Sequence, residues 1–256
     1  MLRRPILTAA VLWFGTLPGL AAGEPEIGTT LVVKNQVVVE FEDEKRKLQK
    51  GNKVYQQEIV QTGKSASAEI RLLDDTKLAV GADARLVLDK FVYDASPQPG
   101  SVAVNLAKGA FRFISGTSGS AAYEIRTPTA TMGVRGTVFD VYVADNGETA
   151  VLLHQGAVDV CPTPATCRRH DIVGRFVHVN LQRLASLPLP WDGSFMPGVR
   201  IASAFPFVGR TLVIDPVRRL RHADLLAPAS QATRAAKGIT NVPNQIQKAI
   251  PKRLPF

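Results

Sequence analysis

Cysteine, tryptophan and histidine are scarce in this chain of 256 residues, which holds two, two and four of them. Cys161 and Cys167 have five residues between them, whereas zinc-binding pairs favour two to four, and neither His170 nor His178 completes a ligand set. No metal centre is expected. His154, His170, His178 and His222 show no spacing that sets a carboxylate or thiol beside them. A nucleophile elbow is missing too, since GTSGS at 116–120 ends in Ser, and no Lys-Ser/Thr follows Gly133 and Gly136 as a phosphate loop requires. Asp74 and Asp75 are neighbours, which on a strand point to opposite faces, so they read as a tight turn. These absences argue against an enzyme and imply no cofactor.

Long apolar runs are also lacking. The first, from Ile6 to Leu20, has about 15 residues, short of the roughly 18 to 20 that cross a bilayer, and no later segment is more apolar. Arg3 and Arg4 precede it, and Ala21, Ala22 and Gly23 follow, which is the layout of a secretory signal peptide over residues 1–23. An exported protein, periplasmic or secreted, is expected. In an oxidising compartment Cys161 and Cys167 read as a local disulfide across a turn carrying Pro162 and Pro164.

Charge is uneven. Residues 191–256 carry ten basic and three acidic residues, while residues 24–190 hold nineteen of each, so the pI of 9.8 describes the tail rather than the body. Trp191, Phe195, Phe205, Phe207 and Phe256 lie mostly outside the basic stretches, which argues against nucleic acid. Anionic lipid or a cell-wall polymer is the polyanion that an exported tail would meet.

What the chain does have is strand after strand. Alternation is clear in ASAEIRLL (66–73), ARLVLDKF (84–91), SVAVNL (101–106) and VFDVYV (138–143), with turn chemistry between them, which predicts an all-β domain over 24–187. EDEKRKLQKGNK (42–53) reads as an exposed loop or a short helix. VFDVYV is expected to be half-buried, with Phe139, Val141 and Val143 on one face and Val138, Asp140 and Tyr142 on the other. Asn146-Gly147 then signals a type I′ hairpin. After Leu187 the alternation fails, and residues 188–256 read as a basic, proline-containing, partly disordered extension, with short helices at most over 217–227 or 229–236.

The stretch TPTATMGVRGTVFDVYV (127–143) turns from small polar residues to an alternating strand. Pro128 holds Thr127 extended, and Gly133 and Gly136 permit backbone angles or close approaches that a Cβ forbids. Arg135 between them has donors for nearby carbonyls or for a partner. The stretch reads as a corner that determines the fold, or as a contact made through Arg135.

EIRTPTATMGVRGTVFDVYV (124–143) resembles the signature of the FecR-domain family, in which Thr127, Pro128, Gly133, Arg135, Gly136 and Thr137 stand at the corner. IVQTGKSASAEIRLLDDTKLAV (59–80), LAKGAFRF (106–113) and AVLLHQGAVDV (150–160) resemble further parts of the same family in order, so the resemblance spans about residues 50–180. Asp74-Asp75 departs from the usual Asp-Gly. The resemblance implies a periplasmic, β-solenoid-like or curled-sheet module without catalytic residues. The family's namesake relays a signal from an outer-membrane transporter to a cytoplasmic sigma factor through an anti-sigma segment and a membrane helix, neither of which is read before the domain here. The expectation is an adaptor that binds another envelope protein, exposed strand edges offering one route. The alternative is a structural protein that binds glycan or lipid.

Overall fold

The computed structural model describes residues 25–92, 101–118, 123–163, 166–191, 193–217 and 219–226, apart from the side chains of Val92 and Arg135. The expected signal segment, residues 227–256 and the candidate helix over 229–236 lie outside the described residues.

The protein is all-β, and its strands appear where alternation and turn residues place them. They are β1 (Glu26–Lys34), β2 (Val37–Phe41), β3 (Glu44–Lys47), β4 (Lys53–Tyr55), β5 (Ile59–Thr62), β6 (Ser67–Leu72) and β7 (Lys77–Val80). There follow β8 (Arg85–Val92), β9 (Ser101–Ile114), β10 (Tyr123–Arg126), β11 (Thr131–Val143), β12 (Thr149–Thr163), β13 (Thr166–His170) and β14 (Phe176–Val179). The charged stretch 42–53 is neither a loop throughout nor a helix: it closes the β2–β3 hairpin, with Glu42 at φ 52, and supplies β3 and the start of β4.

The described strands form one 14-stranded sheet, antiparallel in every pairing except β9 with β10. The sheet doubles over because three long strands change partners part-way. Residues 101–108 of β9 pair with β8 and, in part, β10, whereas 109–114 pair with β7 and β11. In the same way 131–135 of β11 pair with 157–161 of β12, and 138–143 of β11 pair with 149–155 of β12. One layer is therefore β4-β1-β6-β7 continued by the second half of β9, the second half of β11, the first half of β12 and β14. The other is β3-β2-β5-β8 continued by the first halves of β9 and β11, with β10 between them, then the end of β12 and β13.

Alternation decides what lies between the layers. Ile70, Leu78, Phe111, Phe113, Phe139, Val141 and Leu153 from the first layer join Val39, Leu86, Val104, Ile125, Val134 and Val160 from the second in a single core. Phe113 packs edge-on to Tyr123, with ring centres 5.6 Å apart, and tilted against Phe139 at 5.4 Å.

The outward face of the first layer is buried as well, and here the structure departs from expectation. Residues 189–226, with short helices α1 (Ile201–Ala204) and α2 (His222–Leu225), lie across it. Trp191, Met196, Phe205 and Val208 pack on Ala150, Leu152 and Phe176, and Phe207 and Ile214 pack on Ala79 and Ala110. Phe176, Trp191 and Phe205 contact one another, with ring centres 4.8 to 5.8 Å apart. The packed body thus continues past the boundary drawn at Leu187, at least to Leu225. VFDVYV is buried on both faces, with Val138 and Asp140 covered. The covering segment eluded a reading based on alternation because it holds its aromatics on irregular backbone, without a period.

Each large apolar side chain buried here contributes on the order of 1.5–3 kcal/mol, and a domain's net stability is only about 5–15 kcal/mol. Truncation after Leu187 should therefore expose an apolar face, lower the melting temperature and promote binding of a hydrophobic dye; an unchanged calorimetric transition would show that the segment is dispensable.

Candidate functional site

The sequence motif forms a bend. β11 and β12 turn together from one layer to the other at Gly136 (φ 58) and Gly156 (φ 82), and the register shifts between Arg135 and Val138. A Cβ on Gly156 would lie 2.5 Å from the Gly136 carbonyl oxygen, so this crossing tolerates no side chain. Thr137 fastens the bend: its Oγ1 donates to Ala157 O at 2.7 Å, and its N–H donates to Ser115 Oγ at 2.9 Å. Gly133 needs neither a left-handed angle nor a close approach, contrary to the expectation that both glycines serve steric ends. The Arg135 side chain lies outside the described residues; its backbone pairs with Ala157, and Gly133 and Gly136 on either side are exposed.

Thr127, Pro128 and Thr129 form the turn between β10 and β11. Thr129 Oγ1 donates to Thr149 Oγ1 at 2.8 Å, Thr149 Oγ1 to Thr127 Oγ1 at 2.9 Å, and Thr127 Oγ1 to Ala130 O at 3.0 Å. Each hydroxyl has one proton to give, and this chain uses all three in one direction. Arg183 Nη2 donates to Pro128 O at 3.4 Å. The threonines are thus occupied within the fold. At Asn146-Gly147 only Gly147 has positive φ (94), and Gly147 N–H returns to Ala144 O, so the hairpin is a longer glycine-bulge loop rather than type I′.

Asp74 and Asp75 form the turn expected of them. Asp75 adopts φ 67, the conformation that a glycine would take. Buried Asp74 accepts from Thr76 N–H, Thr76 Oγ1 and Tyr123 Oη at 2.8 to 3.0 Å. Cys161 and Cys167 form a disulfide that closes the β12–β13 hairpin. Among the described residues no group of His, Cys, Asp or Glu is placed to hold a metal ion.

Sequence reasoning missed a buried charge cluster. Arg112 (β9), Asp140 (β11) and His154 (β12) project outward from neighbouring strands, and Asp215 of the covering segment closes over them. Arg112 Nε and Nη2 donate to the two oxygens of Asp140 at 2.6 and 2.8 Å, and Nη1 donates to Asp215 at 3.2 Å. His154 Nε2 lies 3.0 Å from Asp140 and 2.9 Å from Arg112 Nη2, while its Nδ1 is buried without a hydrogen-bond partner. Asp140 and His154 share their strands' outer faces with Val138 and Leu152, which are buried as well. Only the covering segment makes them interior. Nearby, Glu69 accepts the Ile214 N–H at 2.9 Å and ties the segment to β6.

Burial raises the Asp140 pKa, but His154 and Arg112 outweigh it and bring the carboxyl from 3.8 to about 2. Burial likewise lowers the Arg112 pKa, and Asp140 and Asp215 more than offset it. Burial pushes the imidazoles of His170 and His178 below 6.5, Glu148 partly opposing this at His178. The cluster is an electrostatic clasp. Its charges pair with one another beneath the covering segment.

The family model described as FecR protein matches residues 58–159. This segment is similar to FecR domains. It runs from Glu58 just before β5 to Asp159 in β12 and includes the bends at Gly109, Gly136 and Gly156. No curated protein matches the chain. Two crystal structures of a "putative anti-sigma factor" from Parabacteroides distasonis ATCC 8503 are similar at 18% identity, with a TM-score of 0.40, over 51% of this chain and 60% of that one. The chain thus spans less than two thirds of that protein's length. No helix among the described residues is long and apolar enough to cross a membrane.

Arg112→Ala should cost about 3–5 kcal/mol, because it removes the guanidinium that Asp140 and Asp215 share and leaves Asp140 only His154 and Asp215 only Arg219, 3.4 Å away, and chemical denaturation will measure it. The depressed Asp140 pKa contributes stability that is complete above about pH 3.8 and is lost as pH falls through about 2. Asp140→Asn should therefore flatten the dependence of stability on pH across that window. His170 and His178 act earlier: stability declines as pH falls below 6.5, where the unfolded imidazoles take up protons that the buried ones refuse.

Proposed function

We propose that this chain is an exported, non-enzymatic FecR-domain module that acts in the periplasm as a binding adaptor for envelope sensing. The observation that carries this reading is the FecR match over residues 58–159, which covers the region where the sheet doubles over. FecR proteins are associated with the cell envelope and with signalling. The signal-like residues 1–23 and the disulfide between Cys161 and Cys167 support an oxidising, extracytoplasmic location.

Of the corner residues, the threonines and Gly136 are engaged in holding the fold, which leaves Arg135 as the contact to test. A guanidinium can pair with a partner's carboxylate in bidentate fashion. Attachment of the basic residues beyond 227 to anionic lipid or wall polymer is a second, separable contribution.

In-cell crosslinking of tagged protein tests this reading. Recovery of a specific envelope protein, reduced by Arg135→Ala at unchanged melting temperature, is the expected result. Recovery of lipid or wall polymer alone, abolished by removing residues 227–256, would replace the adaptor with a structural role.

A further inference from the structure

Three strands join the two layers, but along one margin the layers part. There β3 ends the second layer and β4 ends the first, and among the described residues β3 pairs only with β2, and β4 only with β1. Arg46 spans the gap, its Nη2 donating to Lys53 O at 2.8 Å. Beside it lies a half-open cavity of about 430 Å³, lined by Val39, Phe41, Glu44, Lys45, Arg46, Tyr55 and Glu58. Its wall is pre-built. Buried Glu58 accepts Arg46 Nε and Nη2 at 3.2 and 2.6 Å on one oxygen and Tyr55 N–H at 3.0 Å on the other, and the Arg46 guanidinium lies 5.8 Å from the Tyr55 ring centre.

The register of β3 sorts its side chains. Glu44 and Arg46 pair with Phe41 and Val39 and share their inward face, at the cavity. Lys45 and Lys47 pair with Glu40 and Val38 and face outward. A strand added along the free edge of β3 would place one residue over the cavity, against Val39, Phe41 and Tyr55, and its two neighbours beside Lys45 and Lys47. An apolar residue suits the first position and carboxylates suit the others.

We propose that the β3 edge is a docking site for an extended peptide segment of another protein, in which acidic residues alternate with apolar ones. Charge selects this occupant over two others. A second copy of β3 would set lysine against lysine, a pairing that edge lysines oppose. Residues 227–256 of this chain carry five basic and no acidic residues, the wrong sign for Lys45 and Lys47. The proposal deepens the adaptor reading and rests on it only for where the partner resides.

The probe is a blocked seven-residue peptide of alternating Glu and Val, compared by fluorescence anisotropy with a scrambled peptide of the same composition and with one N-methylated along a single edge. Binding of the alternating peptide alone is expected, weakened at least about tenfold by K45E/K47E and strengthened again when the peptide's Glu is replaced by Lys. Lys45 is 64% exposed but pairs with Glu40 at 3.6 Å, so K45E/K47E should lower the melting temperature slightly, and binding is compared at a temperature where both proteins are fully folded. No binding, equal binding of the scrambled or N-methylated peptide, or indifference to K45E/K47E would overturn the proposal. Crosslinking separates it from the adaptor reading: a partner still captured by K45E/K47E removes the β3 site and leaves the adaptor. Specific peptide binding with no partner captured in cells does the reverse.

Discussion

The sheet's ability to double over depends on backbone that only glycine supplies. At Gly156 the chain passes so close to the Gly136 carbonyl that a methyl group would collide with it, and both residues hold left-handed angles. Because β11 and β12 bend at the same place, their pairing survives the turn, with the register slipping only around residues 135 to 139. The two halves of β11 depend on this geometry: without it Phe139 and Val134 could not face one common core. β9 makes its own turn at Gly109, opposite Val143, at the far end of its pairing with β11. Among the described residues the two layers are tied by β9, β11 and β12, and they part along the margin of β3 and β4.

A doubled sheet has two outer faces, and this one covers part of the first with its own C-terminal segment. The apolar contacts of Trp191, Phe205 and Phe207 supply most of the attraction, since they remove large area from water. The Arg112 cluster acts differently. Buried ion pairs seldom add much net stability, but they penalise any arrangement that leaves a charge unpaired, so Asp215 sets where the segment lies rather than how tightly it holds. The Asp140 and His154 side chains are specified by the segment that buries them, and together they make one face of the sheet a committed interface within the chain.

The strands were legible because period-two alternation reports directly on burial. Turn residues also spoke clearly: Asp74-Asp75 and Gly147 sit at turns, although the loop at Gly147 is longer than Asn-Gly suggests. Less could be read at the corner. Gly133 and Gly136 look alike in sequence, yet only Gly136 has a left-handed angle, because the bend belongs to the crossing of β11 with β12 and not to β11 alone. The segment 188–226 looked like a tail because its composition is rich in proline and glycine, which says how the backbone runs but not what it covers.

Local sequence by itself determined the strand type, the turns, the Cys161–Cys167 staple and the FecR signature, all of which depend on neighbours within a few residues or on ordered motifs. Tertiary structure alone decided which face each strand turns to a partner layer, that Arg112, Asp140, His154 and Asp215 meet, and that β3 is left as an edge. The physical reason is separation along the chain. Asp215 stands 103 residues from Arg112, and no local pattern encodes a contact whose two sides are brought together only when the sheet has folded and its outer face needs cover.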